Sequence, residues 1–312
     1  MSFKRILDVN LKVKKHENVL IVIDENYDKI GSLMFDFCVK RLFETVLLKI
    51  KERKINGENP PKAVANAMKK SDVIIILTKK SMTHAKATLD AVKSGARIAS
   101  MPGVLDETIA RALSADLKKM DQLGRKLFNV LNKGKVVHVK SENGTDIKLY
   151  ICNRKPIIMN GAIDKKGSLD NLPAGEVSLS PTEGSSNGVV VFDGSCAGIG
   201  LLKRKIEIVV EKGYAVEING GKDAPKLKRM LAPFGKQAFN IAELGFGTNE
   251  KARLTGSVLE DEKVLGTVHI ALGNNSAYGG KIDVPTHIDG IILKPTVFVD
   301  GNLILKNGKY LI

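Results

Sequence analysis

Three short apolar runs near the start of the chain decide its fold: NVLIVI (residues 18–23), TVLLKI (45–50) and DVIIIL (72–77). The first and third are continuous apolar runs of strand length, which is typical of strands that are buried on both faces, and the second also predicts a strand. Helical patterns at 27–41 and after Pro60 separate the runs, and a helix at 83–94 precedes a short strand at 97–100. This alternation predicts an α/β domain in which helices cover a parallel sheet.

The pattern changes after an amphipathic segment, SADLKKMDQLGRKLFNVLN (114–132), which is predicted to be a connecting helix. Beyond Lys133-Gly134, short runs with alternating polarity are separated by glycine-rich turns. Such spacing is typical of antiparallel strands. The sequence therefore predicts an α/β domain at 1–132, with the connector at its end, and a mainly β domain at 133–312.

The first domain lacks the usual nucleotide-binding motifs. No G-x-G-x-x-G follows the strand at 18–23, and no G-x-x-x-x-G-K-[ST] occurs anywhere in the chain. The phosphate cradle that those glycines build is missing, so we expect no bound nucleotide in this domain.

Composition excludes several classes of function. The net charge is +15, but the basic residues are scattered and form no block of like charges. Aromatic residues are only 5% and tryptophan is absent, which argues against a platform for stacking nucleic-acid bases. We find neither a signal-peptide pattern nor an apolar run long enough to span a membrane. With three widely spaced cysteines, the sequence predicts a cytoplasmic protein with no specific nucleic-acid partner.

Candidate metal ligands are concentrated in residues 240–292, which are rich in glycine and predicted to form strands. His287 and Asp289 are two residues apart, so their side chains project from the same face of a strand. An imidazole and a carboxylate on one face form part of a ligand set for a divalent metal. Glu243 lies in an apolar run, where a carboxylate needs a partner.

Four blocks of sequence resemble the family of thermophilic metallo-aminopeptidases, the aminopeptidase T and aminopeptidase S group. They also resemble its shorter relatives, which include 2,5-dihydroxypyridine 5,6-dioxygenase. The blocks are SMTHAKATLDAVKSGARIASMPGV (81–104), NLPAGEVSLSP (171–181), LEDEKVLGTVHIALG (259–273) and PTHIDGII (285–292). They occur in the same order as in the family and span most of the chain.

The resemblance implies five metal ligands: Glu176, Glu243, His269, His287 and Asp289. In the aminopeptidases such a set holds two divalent ions, so zinc, cobalt, manganese or magnesium is expected here. The resemblance also implies a homodimer that releases the N-terminal residue of small peptides. Glu176 is then the candidate general base, a role that Glu243 could also fill, and Tyr278 is the candidate assisting residue. A metallo-aminopeptidase is therefore the first hypothesis.

Two other hypotheses remain open at this point. In a ring-cleaving dioxygenase, His269, His287 and Asp289 could hold a single Fe(II) as a facial triad, and the other two acids would not be ligands. In a binding protein without enzymatic activity, the basic surface would hold nucleic acid and binding would weaken steeply with salt. Metal content separates the three: two non-redox ions, one iron or none.

Overall fold

The computed structural model describes residues 2–312. By its internal contacts the chain divides into two compact units, Met1–Leu117 with Met159–Ala174, and Lys118–Ile158 with Gly175–Ile312. The segment Met159–Ala174 lies within the range assigned to the second domain from the sequence, so the observed division is interleaved rather than a single cut at 132. Within residues 2–312, no helix is long and apolar enough to cross a membrane.

The helices are α1 (Ser2–Arg5), α2 (Asp28–Lys40), α3 (Lys62–Lys70), α4 (Lys86–Lys93), α5 (Asp106–Arg111), α6 (Leu117–Lys133), α7 (Ala224–Leu231) and α8 (Val258–Asp261). The strands are β1 (Asn18–Asp24), β2 (Glu44–Ile50), β3 (Val73–Leu77), β4 (Arg97–Ser100), β5 (Val136–Lys140), β6 (Asp146–Tyr150), β7 (Ile157–Met159), β8 (Leu169–Asn171), β9 (Glu176–Leu179), β10 (Asn187–Phe192), β11 (Ser195–Cys196), β12 (Gly200–Leu201), β13 (Ile206–Glu211), β14 (Tyr214–Asn219), β15 (Ile241–Gly247), β16 (Val268–Gly273), β17 (His287–Ile292), β18 (Thr296–Val299), β19 (Asn302–Lys306) and β20 (Lys309–Tyr310).

The first unit contains a five-stranded sheet in the order β2-β1-β3-β4-β8, and every pair in it is parallel. Strand β3 is fully buried and β1 is buried except at its first residue, as their continuous apolar runs predict. The predicted α/β class is therefore confirmed. The edge strand β8 was not predicted from the sequence, because LDN is short, carries two polar residues and has no strand pattern of its own.

A buried ion pair stabilises this first unit. The guanidinium of Arg97 donates two hydrogen bonds, each 2.8 Å long, to the two carboxylate oxygens of Glu17, and its Nε donates to the carbonyl of Leu11. Both charged residues are buried. The hydrogen bonds from Arg97 hold the pKa of Glu17 below its ordinary value, so the folded state favours the ionised carboxylate.

We expect Glu17→Gln to lower the free energy of unfolding by about 3 kcal/mol at pH 7, since breaking a buried pair leaves a charge uncompensated. A lowered pKa in the folded state means that the pair stabilises the fold above the ordinary carboxyl pKa and that this stability is lost as the pH falls. Urea unfolding at pH 7 and pH 3 should therefore show a difference from wild type that shrinks in acid.

The matched control is Asp164→Asn, which breaks the exposed pair of Asp164 with Lys12 in the same unit. Exposed pairs contribute less than about 1 kcal/mol, so this variant should unfold almost like wild type. A Glu17→Gln protein with wild-type stability at pH 7 would contradict the assignment.

The second unit contains two antiparallel sheets. One has the order β14-β13-β10-β6-β5-β18-β19-β20, and the other has the order β12-β11-β17-β16-β15-β9-β7. One continuous apolar core takes residues from both sheets and from helix α6, including Leu127 and Leu131. The mainly β class predicted for this part of the chain is confirmed.

Candidate metal centre

Four neighbouring strands of the seven-stranded sheet carry the five side chains that the sequence singled out. Glu176 begins β9, Glu243 lies in β15, His269 lies in β16, and His287 and Asp289 lie in β17. The pairing Glu243–Ala271–Asp289 across β15, β16 and β17 sets the register. All five side chains project from the same face, because residues two apart in a strand share a face.

The alternating residues of these strands face the core of the second unit and explain why the register is fixed. A one-residue slip would bury the acids and imidazoles in the core and expose its apolar side chains. The core-facing residues are Val177 and Leu179 in β9, Leu244 and Phe246 in β15, Val268, Ile270 and Leu272 in β16, and Ile288 and Ile292 in β17.

The five side chains form a continuous chain of contacts. His269 Nε2 lies 3.3 Å from a carboxylate oxygen of Glu176 and 3.5 Å from one of Glu243. The other oxygen of Glu243 lies 2.9 Å from His287 Nε2, which in turn lies 3.3 Å from Asp289. The expectation that these residues converge at one place in the second unit is confirmed.

Several of these polar atoms are buried without a hydrogen bond. Within the described residues 2–312, Oε2 of Glu176, Oδ1 of Asp289 and both ring nitrogens of His269 have no hydrogen-bond partner. Buried polar groups are ordinarily paired, because leaving one unpaired costs about 1–3 kcal/mol. Carboxylate oxygens and imidazole nitrogens are common metal ligands, so a cation coordinated between these atoms would satisfy them.

His287 is oriented for coordination by the loop that precedes it. Its Nδ1 lies 2.7 Å from the carbonyl oxygen of Asn274. A carbonyl oxygen can only accept, so Nδ1 carries the proton and donates it. Nε2 is then the atom that faces Glu243 and Asp289. Metal-binding histidines are typically fixed in this way, with the ring N–H away from the metal donating to a carbonyl or carboxylate.

The charges of the cluster hold protons strongly on its imidazoles. Burial would lower the pKa of His269, but Glu243 and Glu176 outweigh burial and raise the pKa of His269 to about 9. Burial would likewise lower the pKa of His287, but Asp289 and Glu243 raise it well above its ordinary value. The two imidazoles in turn lower the pKa of Glu243 despite its burial. The carboxylates therefore attract positive charge to this place, and a divalent cation can replace the protons.

Two residues of the centre were not singled out from the sequence, Glu262 and Lys263. The Lys263 side chain is fully buried, and its Nζ lies 2.7 Å from Glu176 and forms a short ion pair with Glu262. The carboxylates raise the pKa of Lys263 against the opposing effect of burial, so the amine is an ammonium ion. These two residues belong to a charged segment, LEDEK (259–263), and nothing in the local sequence shows that Lys263 is buried.

Two groups of side chains in the centre can each hold a metal ion, with all ligand atoms of a group within 4.8 Å of one another. One group is Glu243, His287 and Asp289, and the other is Glu176, Glu262 and His269. The His287 side chain is 25% exposed, those of Asp289 and Glu262 are 11% and 12% exposed, and those of His269 and Lys263 are fully buried. The centre is therefore most open at its His287 end and closed around His269 and Lys263.

Tyr278 lies at the open end. Its ring stacks on the imidazole of His287, with the ring centroids 5.3 Å apart and the planes at 20°. The loop between β16 and β17 that carries Tyr278 is tied down by Glu183, which accepts hydrogen bonds from the side chain of Asn275 and the backbone of Lys281. The tyrosine is therefore held against a candidate ligand rather than left on a mobile loop.

Gly245 makes room for one of the imidazoles. A Cβ atom added at this glycine would overlap the ring of His269, which pairs with Gly245 across β15 and β16. His269 is fully buried, so its ring can avoid such an atom only by moving away from Glu243 and Glu176.

We expect Gly245→Ala to weaken metal binding by roughly 10–100-fold, the range seen when the support of a ligand is lost. The measurement is a titration of the metal-free protein with Fe(II) or Mn(II). Gly235→Ala is the matched control, because an added Cβ there has open space around it. The control introduces only backbone strain of about 1–3 kcal/mol, because φ 70° and ψ −166° place Gly235 in a region that is essentially restricted to glycine. Unchanged metal affinity in Gly245→Ala would show that the position of His269 does not matter.

The fold is that of a class of two-part proteins in which a parallel α/β unit is combined with a unit of antiparallel sheets. Solved structures with this fold include two that match nearly the whole chain. The chain matches 2,5-dihydroxypyridine dioxygenase from Pseudomonas putida KT2440 with a TM-score of 0.86 and 18% identity, covering 99% of this chain and 96% of that one. It matches AmpT from Thermus thermophilus with a TM-score of 0.72 and 16% identity, covering 100% and 98%.

Sequence comparison identifies the family. The model of the 2,5-dihydroxypyridine 5,6-dioxygenase family matches residues 10–312, and the chain therefore belongs to that family. A curated relative, 2,5-dihydroxypyridine 5,6-dioxygenase from Pseudomonas putida KT2440, is 24% identical over 264 residues, which cover 79% of this chain and 73% of the relative.

These findings correct the first hypothesis from the sequence. The predicted metallo-aminopeptidase activity, and with it the assignment as a hydrolase, is wrong, since both the family model and the curated relative are dioxygenases. The general-base role of Glu176 belonged to peptide hydrolysis and is withdrawn with it. The likeness to the aminopeptidases holds at the level of the fold. A metal site is supported, whereas a pair of zinc, cobalt, manganese or magnesium ions is not.

Proposed function

We propose that this chain is a ring-cleaving dioxygenase that acts on a dihydroxylated pyridine and uses a single Fe(II). The observation that carries the proposal is the family match over residues 10–312. The curated relative, which aligns over most of both chains, supports the same activity. The homodimer and the cytoplasmic location expected from the sequence remain predictions.

His269, His287 and Asp289 are the proposed ligands of the iron. Two histidines and one carboxylate form the facial triad of many non-haem iron oxygenases, which leaves positions for other ligands. The unpartnered atoms of His269 and Asp289 and the orientation of His287 by Asn274 agree with this role. Iron(II) held there would supply the redox chemistry that activates dioxygen, which side chains cannot provide.

The remaining residues have roles in orientation. One oxygen of Glu243 lies 2.9 Å from His287 and the other lies 3.5 Å from His269, so its carboxylate contacts both imidazoles and can orient them. The substrate is expected at the open end, where the ring of Tyr278 stacks on His287. A flat, polar aromatic ring fits such a position, because aromatic rings favour stacked or edge-on contact.

The reaction balances without a further reductant. One dihydroxypyridine and one dioxygen give one open-chain product: the bond between C5 and C6 breaks, and both oxygen atoms enter the product. The carbon that bore the 5-hydroxyl becomes a carboxylic acid, and its former neighbour becomes a formyl group on nitrogen. All four electrons that dioxygen accepts come from the ring.

The test is to load the metal-free protein with Fe(II) and supply 2,5-dihydroxypyridine in air-saturated buffer. We expect one dioxygen to be consumed for each ring lost, and with labelled dioxygen both atoms should appear in the product. Control substrates are 2-hydroxypyridine and 3-hydroxypyridine, each of which lacks one hydroxyl and should not react. No consumption of dioxygen with any dihydroxylated pyridine would overturn the proposal.

A further inference from the structure

The closed end of the centre has the composition of a second metal site. The ligand atoms of Glu176, Glu262 and His269 lie within 4.8 Å of one another. Oε2 of Glu176 and Nε2 of His269, both from residues at most 3% exposed, have no hydrogen-bond partner among the described residues 2–312. Two carboxylates and an imidazole suit a divalent cation, and when the iron holds Nε2 of His269 the carboxylates of Glu176 and Glu262 remain as ligands of a second ion.

A positively charged side chain, Lys263, already lies among these ligands. The ammonium of Lys263 contacts the carboxylates of Glu176 and Glu262, two of the three members. A metal ion needs carboxylate oxygens at about 2.0–2.2 Å, so it would compete with Nζ for the space between them. The positive charge of the ammonium would also repel a divalent ion, with little solvent to screen the repulsion.

The backbone around Lys263 holds the ammonium in place. The carbonyl of Lys263 accepts a hydrogen bond from the backbone N–H of Asn249 at 2.8 Å. Two residues earlier, the buried carboxylate of Asp261 accepts from the backbone N–H groups of Thr255 and Gly256. The lysine thus projects from an anchored turn rather than from a free loop.

We propose that Lys263 takes the place of a second metal ion and thereby limits this centre to one metal. The inference rests on the proposed function for the identity of the first metal, but its claim concerns the number of ions. Lys263 is accordingly a residue that determines metal stoichiometry, and it acts through Glu176 and Glu262 rather than on a substrate.

The experiment compares wild type with Lys263→Met, which keeps the length of the side chain and removes its charge. Each metal-free protein is titrated with Zn²⁺ alone, and the bound ions are counted by native mass spectrometry and elemental analysis. We expect one zinc per wild-type chain and two per Lys263→Met chain. Adding Glu262→Gln to Lys263→Met removes one ligand of the second site and should weaken the second zinc by at least tenfold.

The matched control is Lys306→Met, which removes an exposed lysine from β19 and should leave one zinc per chain. A Lys263→Met protein that folds only when the second zinc is supplied also supports the proposal, because the ion then replaces the ammonium. One zinc in a folded Lys263→Met protein overturns it, and so do two in wild type. The number of zinc ions bound by wild type does not depend on whether the variant folds. Ring cleavage is measured in a separate experiment, so a failure of the proposed function can be told apart from a failure of this inference.

Discussion

Replacement of His287 by alanine is expected to remove iron from the protein and to abolish ring cleavage. His287 offers Nε2 to the centre while its Nδ1–H donates to Asn274, so it is fixed in the orientation of a ligand. Loss of a residue that merely supports a ligand costs roughly 10–100-fold in metal affinity, and loss of the ligand itself should exceed that range. The measurements are iron content after gel filtration and dioxygen uptake with 2,5-dihydroxypyridine.

His138→Ala is the control for this result. His138 lies on β5 and is hydrogen-bonded to Asp146 at 2.6 Å, at the surface of the other sheet. This variant should keep its iron and its turnover, so any loss would report a general effect of removing a histidine. An unchanged iron content in His287→Ala would exclude His287 from the ligand set.

Glu176→Gln is expected to act mainly on stability. The substitution leaves the buried ammonium of Lys263 with Glu262 as its remaining carboxylate partner. Removing one partner of a buried ion pair typically costs about 3–5 kcal/mol, and the surviving pair with Glu262 places the expected loss near the lower end. Iron should still bind at one ion per chain, since Glu176 is not in the proposed triad. Urea unfolding of the metal-free protein measures the effect.

A double-mutant cycle measures the interaction energy between Glu176 and Lys263. Lys263→Met alone leaves the carboxylates of Glu176 and Glu262 without their counter-ion, whereas Glu176→Gln with Lys263→Met removes both charges of the pair. Replacing a buried pair by neutral groups is often nearly neutral, so the double variant should be more stable than the sum of the single losses predicts. Additive losses would show that Glu176 and Lys263 are not coupled.

Local pattern was sufficient for most of the fold. The runs at 18–23 and 45–50 and the strand at 97–100 form strands within one residue of the predicted bounds. The apolar run of β1 and the strand β4 are buried, whereas β2 is an edge strand in which only Ile50 is buried. The same-face placement of His287 and Asp289 also followed from strand geometry alone. The strand β8 could not be predicted, since its pairing with β4 depends on contacts far away in the sequence.

The reaction could not be chosen from the same residues. The five candidate ligands could together hold two metal ions, or three of them could hold one. The resemblance covered both kinds of enzyme. The five are Glu176, Glu243, His269, His287 and Asp289. The feature that favours a single ion is the burial of Lys263 against Glu176, and burial is a property of the tertiary structure. The sequence did contain one signal, the carboxylate of Glu243 in an apolar run, which requires a partner.

The most direct test of a centre that works with a single iron is a titration of activity with Fe(II). The metal-free protein is given increasing Fe(II) under anaerobic conditions, and ring cleavage of 2,5-dihydroxypyridine is then measured on exposure to air. We expect activity to rise linearly and to reach its maximum at one Fe(II) per chain, and Zn²⁺ at the same concentration to give none. Activity that requires two ions per chain, or that Zn²⁺ supports, would contradict a centre with a single iron.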